Sequence, residues 1–138
     1  MQLHFDIFDE KRNSILPKLS EFRGQGFYLA GGTGLALILG HRDSIDFDFF
    51  TEKSFDTRKL FELVESVFKG HIISKTQEER DTLSVAIDEE IKLSFFTFPY
   101  HTVKPPVETE YFPIASIEDI ACMKLSAITG RSVIKDYV

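Results

Sequence analysis

A chain of 138 residues is long enough to bury a substantial core and short enough to read as one domain spanning 1–138. Its formal net charge of −6 argues against a protein that grips DNA or RNA by broad, non-specific phosphate neutralisation. A local basic rim, or a nucleotide arriving with a metal ion, remains compatible with that charge. The single cysteine, Cys122, excludes an internal disulfide and a cysteine-built zinc site and suits a reducing, cytoplasmic setting. No run resembles a signal peptide or approaches the roughly 18 apolar residues of a membrane span.

In chain order, Ile15, Leu16, Leu19 and Phe22 recur at helical spacing and predict a helix over 9–23, with Pro17 as a place for a kink and Gly24 and Gly26 as its end. "FYLA" (27–30) reads as a short apolar strand and "TGLALILG" (33–40) as a buried helix. "SIDFDFF" (44–50) alternates strictly, sending Ile45, Phe47 and Phe49 one way and Ser44, Asp46, Asp48 and Phe50 the other. An amphipathic helix follows over 56–68. Strands are expected at 71–74, 82–87 and 91–98, with Asp88-Glu89-Glu90 as a hairpin turn and Glu78–Asp81 as a solvated turn. Residues 99–113, rich in proline, read as a loop. Ser116 and Asp119 form a short capping box opening a helix that Gly130 ends. The last residues, "RSVIKDYV", read as the start of another helix with nothing after it. They suggest either a short natural protein or a chain lacking a C-terminal helical segment. This order implies an α+β architecture, an α/β sandwich with a mixed sheet flanked by helices. With 14 phenylalanines and no tryptophan, its core should be Phe-rich.

Three features carry chemistry. Asp46 and Asp48, at i and i+2 on a strand, leave the same face with Cα atoms roughly 6.5–7 Å apart. Two such carboxylates can bracket a hard cation such as Mg²⁺ and, with it, support in-line phosphoryl chemistry; on its own, such a pair is more often the solvated polar face of a half-buried strand. Gly31-Gly32-Thr33 allows close backbone approach and places a helix N-terminus where an anion could bind, and Thr33 adds a hydroxyl; the alternative is a tight strand-to-helix turn. The segment is neither a Walker A loop nor G-x-G-x-x-G. Finally, Lys124 falls inside an apolar helical stripe of Ile117, Ile120, Ala121, Leu125 and Ile128, so its ammonium must snorkel to solvent or meet a counter-charge. Arg42 could pair with either aspartate, and Ser44 could orient a metal-bound water. The four histidines show no ligand spacing.

Together, "GGTGLALILGHRDSIDFDFF" resembles the glycine-rich turn and R-x-S-x-D-x-D strand of minimal nucleotidyltransferases. More narrowly, it resembles the AbiEii/AbiGii toxin-type family of bacterial toxin–antitoxin and phage-defence systems. "IKLSFFTFPY" and "IASIEDIACMKLSAITGRSVIKDY" match later segments of the same family in the right order. The resemblance implies a nucleotidyltransferase fold and transfer of a nucleotidyl group from an NTP, with Mg²⁺ as cofactor. It further implies an RNA (tRNA) or protein acceptor and a cognate antitoxin. On this chain Gly32 and Thr33 would hold the triphosphate and Asp46 and Asp48 the metal. Lys124 would contact phosphates, and Asp136 would complete the site. The departure is the third carboxylate that such folds commonly carry on a neighbouring strand: the expected position, in "IKLSFF", reads Ser94. Asp136 could replace it if the C-terminal segment folds back, whereas Asp81 and Asp88 lie near strand ends. Ser94 therefore keeps open a degenerate domain that binds a nucleotide or a partner without turnover. A haloacid-dehalogenase-type phosphohydrolase fits less well, since Phe50 stands where its motif has Thr or Val.

Overall fold

A computed structural model of the chain describes residues 2–40 and 46–129. Four helices, α1 (Glu10–Leu19), α2 (Gly31–Leu39), α3 (Thr57–Val67) and α4 (Ile117–Thr129), pack on a five-stranded sheet. The strands are β1 (Tyr28–Ala30), β2 (Phe47–Thr51), β3 (Ile73–Glu79), β4 (Thr82–Ile87) and β5 (Ile91–Thr97), in the order β1-β2-β5-β4-β3. Only the β2–β5 pair is parallel, which makes the sheet mixed, as expected.

Alternation along the strands divides the sheet into two unlike faces. On one, Leu29, Phe47, Phe49, Leu93, Phe95, Leu83 and Val85 are buried against Ile15, Leu16 and Leu19 of α1 and Leu60 and Val64 of α3. The Phe-rich core is real: Phe95 lies 4.9 Å from Phe22 and 5.7 Å from Phe49, centroid to centroid, and Phe112 meets Phe49 edge-on. The other face carries Asp48, Ser94 and Ser84 on adjacent rungs, with Phe50 and Phe96 one step further along.

Several boundaries moved. The first helix stops at Leu19 and continues as a 3₁₀ segment, Ser20–Gln25; Pro17 sits within the last turn of α1. The glycine pair is not a turn before α2 but its first two residues, since Gly31 absorbs the change of direction at φ +66°. β3 runs on to Glu79, so the polar stretch 78–79 is an edge strand and the turn is confined to Arg80 and Asp81. Its exposed, charged side chains hide the strand from any hydrophobic pattern and also protect a free sheet edge. The predicted Asp88-Glu89-Glu90 turn is present, with Asp88 and Glu89 both at positive φ. Asp56 caps α3 through the amides of Arg58 and Lys59.

The segment before α4 fixes that helix beside α2. The amide of Leu29 donates to the carbonyl of Pro113 and that of Ala115 to Leu29, each at 2.8 Å, covering the outer edge of β1. Gly34 leaves room for Ile120 and Ile114, which a Cβ there would meet at 3.5 and 3.6 Å. Ser116 caps the helix, with the Asp119 amide donating to Ser116 Oγ at 3.1 Å and that hydroxyl donating to the Asp119 carboxylate at 2.8 Å. Asp119 also accepts from the amides of Val103 and Lys104. Burial alone would raise its pKa, but these bonds hold it below the usual carboxylate range. The proline-rich loop is thereby tied to α4.

Candidate active site

Asp46 and Asp48 are brought together at the start of β2, both half-buried. β1 runs antiparallel alongside, pairing Ala30 with Asp48, so α2 begins next to the carboxylates. The approach is close: a Cβ on Gly31 would come within 2.8 Å of Asp48 Oδ2. Its φ of +66° favours glycine here, and any side chain would also have to displace the Asp48 carboxylate. The N-cap residue of α2, Ala30, makes no side-chain cap. A cluster of backbone N–H groups and two acidic side chains thus share one corner of the sheet, an arrangement suited to a metal-bound phosphate.

The Thr33 hydroxyl has a partner within the protein. Thr33 is buried, and its Oγ1 donates to the backbone carbonyl of Asp46, locking the start of β2 to the first turn of α2. Its side chain thereby holds the start of the acidic strand in place.

Asp48 is electrostatically tense. Burial first, and the neighbouring Asp46 second, push its pKa up to about 6, with Lys92 pulling the other way. A half-buried carboxylate pair that resists losing both protons is a donor set that a divalent cation would relieve, and in that sense the residues fit one. Among the described residues no group of three or more His, Cys, Asp and Glu forms a metal cluster.

Ser94 of β5, where the resemblance leads one to expect a third carboxylate, pairs directly with Asp48. It is buried, and its Oγ lies 2.9 Å from Ser84 Oγ on the next strand. Asp81 and Asp88 belong to turns: Asp81 binds Ser54 Oγ and the Phe55 amide, and Asp88 binds His71, Lys11 and the Ile72 amide. Asp88 is held far below the ordinary carboxylate range by its His71 bond foremost.

The reasoning that singled out Lys124 is corrected. α4 packs through Ile120, with Met123 partly buried beside it, while Ile117, Leu125 and Ile128 are 40%, 61% and 72% exposed. Of the apolar stripe only Ile120 is buried, and α4 is turned so that Asp119 reaches the proline-rich loop. Lys124 is exposed with the stripe and meets no burial conflict. Arg42, Ser44 and Asp136 lie outside the described residues. Sequence reasoning overlooked Lys92, an exposed cation two residues before Ser94 on the acidic face, whose charge acts on Asp48. Its i−2 relation to Ser94 was the available signal.

A cavity of about 760 Å³ opens elsewhere, at the C-terminal end of β2, lined by Gly26, Thr51, Lys53, Asp56 and Lys59 among others. It contains neither aspartate of the pair.

Residues 19–138 match the family model described as "Nucleotidyl transferase AbiEii toxin, Type IV TA system". The chain belongs to the AbiEii nucleotidyltransferase toxin family. An uncharacterised protein of Aquifex aeolicus (strain VF5) is 42% identical over 115 residues, covering 80% of this chain and 54% of that protein. This AbiEii-family chain thus spans about half the length of the curated relative it matches. Among solved structures, JHP933 from Helicobacter pylori superposes with a TM-score of 0.56 at 23% identity, over 84% of this chain and 54% of that one. TM1012 from Thermotoga maritima gives 0.55 at 19% identity over 92% of both chains. The Megavirus polyadenylate synthase gives 0.54 at 20% identity, over 75% of this chain and 24% of its own. The AbiEii-family domain therefore has the nucleotidyltransferase fold, of the α+β class. Among the described residues no helix is long and apolar enough to cross a membrane.

Proposed function

We propose that this domain transfers a nucleotidyl group from an NTP to an acceptor hydroxyl on RNA or protein, in the cytoplasm, as the toxin of a toxin–antitoxin pair. The observation that carries the reading is the meeting of the Asp46/Asp48 pair with the N-terminus of α2, so close that a Cβ on Gly31 would lie 2.8 Å from Asp48 Oδ2. Residues 1–138 act as one domain in this reading.

Each residue then has a task. The backbone of Gly31, Gly32 and Thr33 binds the triphosphate, and Asp46 and Asp48 hold Mg²⁺. The ion would supply charge neutralisation on the phosphates and orient them for in-line attack. Thr33 keeps Asp46 in register. Lys124 and Arg42 are assigned to phosphate contacts, Ser44 to an ordered water and Asp136 to completion of the acidic set. The acceptor oxygen bonds to the α-phosphorus, the bond to the bridging β-oxygen breaks, pyrophosphate leaves and the hydroxyl proton passes to solvent.

The test is incubation with each labelled NTP, Mg²⁺ and total RNA, scoring label on RNA and on protein. Wild type should transfer label, and an Asp46→Ala/Asp48→Ala double variant should lose about 10²-fold or more of that rate. Equal rates in the two proteins would sink the assignment. A second reading, a domain that binds NTP without turnover, is favoured by Ser94: at the third-acid position it is buried and bonded to Ser84. NTP binding without label transfer would select it.

A further inference from the structure

We propose that the cavity at the C-terminal end of β2 binds a small organic acid, an apolar body carrying one anionic group. The inference is independent of the nucleotidyl-transfer reading, because the cavity lies at the far end of β2 from the acid pair and has neither aspartate of the pair in its lining.

Thr51 is the residue that needs an explanation. Alternation along β2 places it on the closed face, in line with Phe47 and Phe49, and it is only 5% exposed. Its Oγ1 has no hydrogen-bond partner among the described residues, yet it is not sealed from solvent. The hydroxyl therefore looks into the cavity that Thr51 lines. Gly26 leaves it uncovered: a Cβ there would stand 3.4 Å from Oγ1, and Gly26 holds φ at +86°. Buried polar groups almost always bond to protein or water, so a hydroxyl left open at the end of an apolar row is a recognition point.

The rest of the lining gives the chemistry of the ligand. A volume of about 760 Å³ is within the range of small-molecule sites. Phe27 and Phe55, edge to face at 5.4 Å, form an apolar wall with Leu60 and Leu63 of α3. Both carboxylates in the lining are engaged: Glu52 lies 2.5 Å from His101 Nδ1, and Asp56 accepts from the amides of Arg58 and Lys59. The ammonium groups of Lys53 and Lys59, also in the lining, have no ion pair among the described residues. An apolar wall, one open hydroxyl and two unpaired cations together select an anion with a hydrophobic body. A free phosphate would leave the wall wet, and a neutral hydrocarbon would leave the hydroxyl and both lysines unused.

The probe is 2-naphthoate, with neutral 2-naphthamide as its control, each titrated into the isotope-labelled chain and followed by amide NMR shifts. Naphthoate should bind saturably and move the amides of Gly26, Thr51, Phe55 and Lys59. It should bind about 2- to 30-fold more tightly than naphthamide, the range that two exposed charge pairs supply. A Lys53→Gln/Lys59→Gln double variant should erase that difference. Thr51→Val should weaken both probes about 2- to 10-fold, and Thr51→Ser should keep the wild-type affinity. ATP with Mg²⁺ should not compete with naphthoate. No saturable binding, shifts centred on other residues, equal affinity for acid and amide, or competition by ATP overturns the proposal. So does a Thr51→Val variant with an unperturbed spectrum that binds both probes as wild type does.

Discussion

The two faces of the sheet are made by the same strands and obey opposite rules. Phe47, Phe49 and Thr51 of β2 are buried, while Asp46, Asp48 and Phe50, interleaved with them, are half-exposed. The closed face is apolar and continuous, with rings from four parts of the chain meeting around Phe49 and Phe95. The open face carries carboxylates, serines and a cation, set against a helix N-terminus. One face supplies stability, and the other places charge where it is uncomfortable without a ligand. A strand anchored rigidly on one side can hold strained chemistry on the other.

The largest test of this contrast compares neighbours. Phe49→Ala should destabilise the domain by about 3–5 kcal/mol in urea unfolding, as for a fully buried ring. Phe50→Ala, half-exposed and on the open face, should cost about 1–2 kcal/mol. Equal losses would mean that the open face is as much a core as the closed one.

Much of this division was legible beforehand because strand periodicity is strict: the alternation over 44–50 assigned each β2 side chain to its face, and the parallel register then placed Ser94 beside Asp48. What the pattern did not show were tertiary choices. β3 is too polar to announce itself, since an edge strand needs no apolar face. The orientation of α4 depends on Asp119 reaching Val103 and Lys104, a contact across 15 and 16 residues, so of its apolar stripe only Ile120 is buried. The depth of Asp48, and the preference for glycine at position 31, arise only once β1, β2 and α2 have met.

The second test uses that depth. The folded state holds the Asp48 proton more tightly than the unfolded chain, since its pKa is raised to about 6 by burial and by Asp46. This contribution is therefore most favourable below the ordinary carboxylate pKa and is lost as pH rises through about 6. Asp48→Asn should flatten that decline and, in metal-free buffer at pH 7, raise stability by about 1–3 kcal/mol. Added Mg²⁺ should raise the Tm of the wild type and leave the variant unmoved. A variant less stable than wild type at pH 7 without metal would show that the pair is stabilised by protein partners alone.

The smallest expected effect concerns the serines that fill the third-acid rung. Ser84 and Ser94 share one buried hydrogen bond, so removing either hydroxyl leaves the other without that partner and should cost about 1 kcal/mol. Removing both leaves two methyl groups in contact and should be close to neutral, a coupling that a double-mutant cycle reads directly. If the double variant is neutral and transfer persists, the serines serve the sheet and the acid pair works without a third donor on β5. If transfer falls while stability holds, Ser94 acts on the chemistry through Asp48, and the division between a stabilising face and a reactive one runs through this single rung.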